Sequence, residues 1–504
     1  MAYIEMRHIS KRFGTVPAND DVGFFVDRGE IVALLGENGS GKSTLLNMLA
    51  GLYIPDSGSI YIDGRRRFFH SPQDAIAAGV GMVHQHFKLI PVMNAWENIS
   101  LGEKAGLNPF IEQKRVNRKI AGIEERFGLA TLHGKKIYNM SVSEKQTVEI
   151  LKMLYRGASA LVLDEPTAVL TPQETEQLFA MLRNMKQEGC AVVIITHKLN
   201  EVMEISDRVM VMRKGKEIGT VNTADTSPLK LTEMMVGASI SLEIRREPPA
   251  PKARPVLEVK DLSCFNEDGT AALDDVSFDL YGGEILGIAG IAGSGQRELC
   301  EIIAGLRRAR RGQVLCGSED LLGLSPREIK NRGVSMSFIP EDRLGMGLVA
   351  GMSVTDNILL RSYEKRPGVF IDRAGGKILA EKIVERYGIS TPSVQHIVRK
   401  LSGGNIQKVL LGREIDLGPK VLITAYPVRG LDIGASYSIY GMLNEQKKMG
   451  VAVLYIGEDL DVLRELCDRI MVIHGGRVMA IVDPRETSKE EMGLLMLGQK
   501  TEAV

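Results

Sequence analysis

The sequence contains one unit written twice, and this repeat limits the possible folds more than any other feature. Residues 29–36 (GEIVALLG) return as residues 283–290 (GEILGIAG), and residues 206–212 (SDRVMVM) return as residues 467–473 (CDRIMVI). Because the copies lie about half a chain apart, the repeating unit is a whole domain and not a short solenoid repeat. The sequence therefore predicts two domains of the same fold.

A proline-rich segment suggests where the two domains meet. Residues 247–255 (EPPAPKARP) favour an extended, solvated chain, which is typical of a linker. We expect a first domain at residues 1–245, a linker at residues 246–256 and a second domain at residues 257–504.

Composition argues against several classes of protein. With 63 basic and 63 acidic residues, the chain lacks the basic excess of a nucleic-acid binder. No stretch approaches the roughly 18 consecutive apolar residues of a membrane span. The first residues lack the apolar core of a signal peptide, so we expect a cytosolic chain that reaches a membrane only through a partner. The five cysteines show no CxxC spacing and are expected to be reduced thiols.

Short apolar runs alternate with helical stretches in each half. Residues 31–35, 161–163 and 191–196 read as buried strands, and the first of them runs into a glycine-rich turn. The apolar runs at residues 209–212 and 470–473 each meet a glycine-containing turn, which favours a hairpin. The sequence therefore predicts an α/β fold for both halves.

The turn after the first apolar run carries a phosphate-binding motif. Residues 36–44 (GENGSGKST) match the pattern GxxxxGK[ST]. Its glycines let backbone N–H groups converge on phosphate oxygens, and the helix from Lys42 directs its positive end at the same anion. Lys42 would reach the β- and γ-phosphates, and Ser43 would ligate Mg²⁺. The sequence predicts a site for ATP and Mg²⁺.

A pair of acidic residues follows the second apolar run. Asp164 and Glu165 stand in residues 161–166 (LVLDEP), at the end of a predicted buried strand. By itself such a pair is typical of a surface turn. Downstream of a phosphate loop, the aspartate is the Walker-B partner of Mg²⁺, and the glutamate can polarise the attacking water. The pair therefore predicts hydrolysis of the bound ATP.

Together these motifs resemble the ATP-binding cassette (ABC) ATPases. The resemblance implies tandem P-loop NTPase domains, each with a mixed sheet core, an antiparallel β part and a helical subdomain. It implies that Gln85 contacts Mg²⁺, that His197 senses the γ-phosphate and that Phe13 stacks on adenine. Taken alone, Phe13 is more typical of a core residue, and His197 of a structural histidine.

The candidate site residues fall into three sets. The catalytic candidates are Lys42, Glu165 and His197. The metal candidates are Ser43, Gln85 and Asp164. The nucleotide-binding candidates are Phe13, Gly36, Glu37, Asn38, Gly39, Ser40, Gly41, Lys42, Ser43, Thr44 and Gln85 of the first half, with Ser402, Gly403 and Gly404 of the second.

The second half lacks the catalytic residues of the first. Its loop at residues 290–298 (GIAGSGQRE) keeps the glycines but loses the lysine and the hydroxyl groups. The places of the metal carboxylate, the water-polarising glutamate and the γ-phosphate histidine are taken by Ala425, Tyr426 and Glu458. The sequence therefore predicts no hydrolysis at the second loop.

The signature motif of the family shows the opposite distribution. Residues 401–405 (LSGGN) are close to LSGGQ, whereas residues 140–144 (MSVSE) bring side chains and the charge of Glu144 where a close approach to phosphate is needed. In this family each ATP lies between the loop of one domain and the signature of the other. The resemblance thus implies one competent composite site, from the first-half loop and the second-half signature, and one degenerate site.

The pattern of the second half is similar to that of ATPases from bacterial simple-sugar importers. Residues 83–87 (VHQHF) and the loss of acid at Ala425 favour the nucleoside branch over a ribose-like sugar. The resemblance implies a peripheral protein at the cytoplasmic face of the inner membrane, with two integral permease subunits and an extracytoplasmic solute-binding protein. Residues 89–96, up to Trp96, are predicted to help receive a permease helix, with core packing as the alternative.

A soluble tandem ATPase acting on ribosomes or DNA is the rival of another class. Such a protein is expected to keep both ATP sites, to carry a long charged linker or to hold zinc-binding cysteines, and this sequence has none of these features. We therefore expect no nucleic-acid partner.

Overall fold

The computed structural model describes residues 2–84, 87–102, 113–129, 133–168, 170–196, 198–237, 244, 246, 248, 254–266, 269–363 and 370–499. These residues divide into two units, Met1–Ser241 and Leu242–Val504. Much of the expected linker, including residues 249–253, lies outside the described residues, so its boundaries stay a prediction.

The first unit contains two sheets. Its strands are β1 (Ile4–Phe13), β2 (Val16–Val26), β3 (Ile31–Gly36), β4 (Ser57–Ile62), β5 (Arg65–Arg67), β6 (Val80–Val83), β7 (Ala160–Asp164), β8 (Ala191–Ile195), β9 (Arg208–Arg213) and β10 (Lys216–Asn222). An antiparallel sheet has the order β2-β1-β4-β5. A six-stranded sheet has the order β10-β9-β3-β8-β7-β6, in which only β10 is antiparallel to its neighbour.

Helices cover both faces of this six-stranded sheet. They are α1 (Lys42–Leu49), α2 (Pro72–Ala77), α3 (Ala95–Ser100), α4 (Gln113–Phe127), α5 (Val142–Tyr155), α6 (Pro172–Gln187), α7 (Leu199–Ile205) and α8 (Pro228–Val236). Val32 and Leu34 of β3 pack with α1 and the antiparallel sheet. Ile31 of the same strand packs with α3 to α6. Because both faces are covered, β3 is apolar along its whole length, as strands of parallel sheets usually are.

The second unit repeats the same topology. Its strands are β11 (Leu257–Phe265), β12 (Ala271–Leu280), β13 (Ile285–Ala289), β14 (Arg311–Cys316), β15 (Glu319–Asp320), β16 (Met336–Ile339), β17 (Val421–Ala425), β18 (Ala452–Ile456), β19 (Arg469–His474) and β20 (Arg477–Val482). The sheets have the orders β12-β11-β14-β15 and β16-β17-β18-β13-β19-β20. The central strand β13 lies between β18 and β19, as β3 lies between β8 and β9 in the first unit. The predicted α/β repeat is therefore confirmed.

The helices of the second unit also follow those of the first. They are α9 (Gln296–Ile303), α10 (Pro326–Asn331), α11 (Val354–Leu359), α12 (Arg373–Arg386), α13 (Gly403–Ile415), α14 (Ile433–Lys448), α15 (Leu460–Leu466) and α16 (Lys489–Met496). Both expected hairpins are present, as β9–β10 and β19–β20. No helix in the described parts of the chain combines the length and apolarity needed to span a bilayer.

Candidate nucleotide site

The phosphate loop follows β3 and leads into α1. Ser40 N donates to Glu37 O at 3.0 Å, and Gly215 N donates to Ser40 O at 3.0 Å, which holds the loop against the β9–β10 turn. Gly41 has φ of 101°, and a Cβ there would lie 2.3 Å from Ala18 O. Only glycine fits this position, so the sequence motif and the backbone turn require each other.

Lys42 is buried within the loop that it follows. Its ammonium group donates to Gly36 O at 2.7 Å and to Glu37 O at 3.0 Å. Burial lowers the pKa of Lys42, against the opposing charges of Glu165 and Asp164. The loop therefore contains a positive charge at the N-terminus of α1, where a phosphate is favoured on both counts.

Two carboxylates lie at the end of β7, which is separated from the strand that carries the loop by β8 alone. Burial, and then the charge of Glu165, raise the pKa of Asp164, while Lys42 acts in the opposite direction. Glu165 has a left-handed backbone with φ of 46°, and its N–H donates to Ile195 O at 2.9 Å. The carboxyl ends of β3, β7 and β8 therefore place phosphate-binding and acidic groups at one edge of the sheet, where ligands of such sheets bind.

The donor set at this edge fits Mg²⁺. Ser43 is exposed on the first turn of α1 and offers a hydroxyl oxygen, and Asp164 offers carboxylate oxygens. Mg²⁺ prefers such hard oxygen ligands. Burial and, after it, the charge of Glu165 raise the pKa of Asp164, and a bound cation would offset the second of these causes.

Of three further residues predicted from the resemblance, the structure describes only Phe13. Gln85 and His197 lie outside the described residues, so their roles stay predictions. Phe13 lies at the end of β1 with 47% of its surface exposed, and its ring centroid is 5.4 Å from that of Tyr53. Phe13 is therefore not a core residue, and its ring has free surface for an adenine base.

The signature segment of the second half begins α13. Ser402 is the N-cap residue of this helix, and its hydroxyl accepts a bond from the side chain of Asn405 at 2.8 Å. A Cβ on Gly404 would lie 2.7 Å from Cβ of Ala435 in α14. Gly404 is thus required for the packing of α13 against α14.

The matching segment of the first half begins α5 with a capping box. Ser141 N donates to the Glu144 carboxylate at 2.7 Å, and Lys135 Nζ lies 2.8 Å from the same group. Glu144 therefore stabilises the helix start, a role that the Ser-x-x-Glu spacing could have indicated and that sequence reasoning missed.

The loop of the second half keeps its shape with other side chains. Gly295 has φ of 100°, and Gln296 Nε2 donates to Ile291 O at 3.1 Å, where the first half uses the ammonium group of Lys42. Tyr426 has φ of 48°, and its N–H donates to Ile456 O at 3.0 Å. Both units thus have the backbone of a phosphate loop and a left-handed residue after β7 or β17, although only the first carries the lysine and the acids.

These features define a protein with two phosphate-loop nucleotide-binding domains. A family model described as "ABC transporter" matches residues 19–168 and 273–427, which is more than half of the chain. The chain belongs to this family, and the prediction that it is an ATPase is confirmed at that level.

The chain is also similar to curated proteins over nearly its whole length. A nucleoside import ATP-binding protein of Lactococcus lactis is 41% identical, over 98% of this chain and 98% of that protein. A guanosine import ATP-binding protein of Bacillus subtilis is 43% identical, over 98% and 97%. A glucose import ATP-binding protein of Haloferax volcanii is 40% identical, over 98% and 96%.

Proposed function

We propose that this chain is the ATP-hydrolysing subunit of a nucleoside importer. The observation that carries the proposal is its end-to-end similarity to import ATP-binding proteins, two of them named for nucleosides. The chain would act at the cytoplasmic face of the inner membrane, bound to two integral permease subunits. An extracytoplasmic solute-binding protein would deliver the nucleoside to them.

The first half would hold and hydrolyse ATP. Lys42 and the loop N–H groups would bind the β- and γ-phosphates, while Ser43, Gln85 and Asp164 would hold Mg²⁺. Bound there, Mg²⁺ would supply positive charge that offsets the negative charge of the phosphates. Glu165 would orient the attacking water and accept its proton.

A single competent site follows from how the motifs are divided. The signature residues Ser402, Gly403 and Gly404 would complete the site of the first-half loop, as the family resemblance implies. His197 would contact the γ-phosphate there. The second loop would hydrolyse nothing, because neither Gln296 nor Tyr426 can do the work of a lysine or a carboxylate.

Solute uptake tests the proposal in cells that lack this chain. We expect uptake of labelled nucleosides to return with the wild-type chain and not with its Glu165→Gln variant, while ribose and glucose uptake stay at the level of the deletion strain throughout. If a sugar is restored instead, the chain serves a simple-sugar importer, the alternative that the glucose import relative favours. Co-purification with ribosomes and not with membranes would contradict both.

An exposed apolar side chain after β6 is a candidate contact for a permease. Val92 is 69% exposed, whereas Trp96 packs at the edge of the α3–α6 core. We therefore expect Val92→Asp, more than any change at Trp96, to weaken association with the permease subunits without lowering thermal stability. Co-purification of the permease subunits with the tagged chain measures this association.

The matched control is Leu229→Asp, on α8 of the same unit, where the leucine is 48% exposed. Equal loss of the permease subunits in both variants would show that a surface charge alone disturbs the complex, and Val92 would lose its assigned role.

A further inference from the structure

Three charged residues meet at the sheet edge of the second unit. Glu341 follows β16, Arg429 follows β17 and Glu458 follows β18, and these are neighbouring parallel strands. The Arg429 guanidinium donates to the Glu341 carboxylate, and its Nε lies 3.1 Å from Glu458 Oε1. One arginine thus links two carboxylates that are more than a hundred residues apart in the sequence.

The same three strand ends have other residues in the first unit. By position in the repeat, Gln85 and His197 stand where the second unit has Glu341 and Glu458. Asp164 stands where the second unit has Ala425. The first edge thus carries residue types that ligate Mg²⁺, whereas the second carries two carboxylates that share one cation of the chain itself.

The second unit does not fit Mg²⁺. Arg297 and Ala425 replace the hydroxyl and the carboxylate of Ser43 and Asp164, so two metal ligands are lost. The two carboxylates at this edge, Glu341 and Glu458, are both already paired with Arg429. A divalent cation would have to displace a guanidinium from this pair, with few oxygen ligands in return.

A cleft is nevertheless present next to the helix that follows the second loop. A cleft of about 520 Å³ lies beside α9, and Arg297, Glu341, Arg343 and Tyr426 are among the residues that line it. The loop before α9 keeps its turn, since Ser294 N donates to Ile291 O at 3.1 Å, as Ser40 does to Glu37 in the first unit. The N–H groups of the loop are donors to an anion, and so are those of Arg297 apart from Nε, which already donates to Glu301 at 2.7 Å.

The side chain of Arg343 holds the segment that carries Arg429 in place. Arg343 donates to the backbone oxygen of Arg429 and, through Nε, to Gln407 Oε1 of α13 at 2.8 Å. Removing Arg429 would leave Glu341, which lines the cleft, and Glu458 without their shared cation. Repulsion would then oppose the entry of any phosphate.

We propose that the second half binds the phosphates of a nucleoside di- or triphosphate without a divalent cation, with Arg429 in the role that Mg²⁺ has in the first half. This inference rests on the proposed function, since it concerns the second loop of the same ATPase. It makes occupancy of that loop independent of Mg²⁺, whereas hydrolysis at the first loop requires the metal.

Photoaffinity labelling of the full-length protein tests the inference. The probe is radiolabelled 8-azido-ADP, irradiated in excess Mg²⁺ or in excess EDTA, and peptide mapping assigns the label to the first or the second half. We expect labelling of the second half to differ by less than about twofold between the two conditions. A second half that is unlabelled, or labelled only with Mg²⁺, would overturn the inference.

Substitution of Arg429 gives the sharper readout. In Arg429→Ala, labelling of the second half in EDTA is expected to fall about tenfold or more, because two carboxylates lose their cation. Excess Mg²⁺ is expected to restore part of it, since the freed carboxylates can then ligate the metal. Arg429→Lys should keep most of the binding. Unchanged labelling of Arg429→Ala in EDTA would exclude the proposed role.

Two controls separate this inference from folding and from the proposed function. Arg327→Ala removes an exposed arginine of α10 and should leave labelling unchanged. Thermal unfolding shows whether Arg429→Ala is folded, and Arg429→Gln, which is closer in size, replaces it if not. First-half labelling and ATP turnover report separately on the proposed function, so either idea can fail while the other stands.

Discussion

Replacement of Glu165 by glutamine is expected to lower ATP turnover by about 100-fold or more. The glutamine fills the same space but cannot accept a proton from the attacking water. Binding should change little, because the ammonium group of Lys42 and the loop N–H groups remain. Phosphate release by the complex with its permease measures turnover. Titration with a fluorescent ATP analogue measures nucleotide binding.

The control for this variant is Glu176→Gln, which removes an exposed carboxylate from α6 of the same unit. This control variant should hydrolyse ATP at the wild-type rate. Residual turnover close to wild type in Glu165→Gln would show that the second loop hydrolyses ATP, and the assignment of one competent site would then be wrong.

Replacement of Lys447 by methionine is expected to destabilise the second unit by about 3–5 kcal/mol. Lys447 Nζ lies 2.7 Å from the Asp468 carboxylate, and both side chains are almost fully buried. The other oxygen of Asp468 accepts a bond from Ile285 N at 2.9 Å. Without the lysine, a buried carboxylate is left without its partner cation, and the melting temperature of this unit should fall by roughly 10 °C.

The repeat supplies a matched control for this pair. Lys186 and Asp207 form the same contact in the first unit at 2.5 Å, and Asp207 likewise accepts from Ile31 N at 2.9 Å. Their side chains are about a third exposed, so Lys186→Met should cost only about 1 kcal/mol or less. Hydrogen exchange of β3 and β13 peptides resolves the two units. If both variants lost the same free energy of unfolding, burial of the ion pair would not determine how much stability it contributes.

Much of the fold could be predicted from the sequence because the informative patterns are local. The apolar run at residues 31–35 and the glycines after it are enough to predict β3, its loop and α1. Similarly, an apolar run followed by a glycine turn predicts the β9–β10 hairpin. The repeat then transfers each of these predictions to the second half, where the structure has β13, α9 and the β19–β20 hairpin.

The remaining features depend on contacts that no local pattern contains. Arg429 reads as one exposed charge in a turn, and only the order of β16, β17 and β18 brings it to Glu341 and Glu458. Lys447 is buried and Lys186 is partly exposed, although they lie on equivalent helices, α14 and α6. The difference likewise depends on how the rest of each unit packs around that helix. Sequence reasoning found the missing catalytic groups but not the ion pairs that stand in their place.

The left-handed turn after β7 and β17 has a consequence for directed evolution. A residue other than glycine or asparagine at such a φ costs roughly 1 kcal/mol or more, so Glu165 offers a gain in stability on replacement by either. Tyr426 offers none, because its ring packs against the core of the second unit and the loss of that packing would outweigh the gain. At position 165 the same replacement would remove the carboxylate that we propose activates water. A library screened for heat resistance alone would therefore be driven towards an inert chain, and selection for growth on the transported solute would have to accompany it.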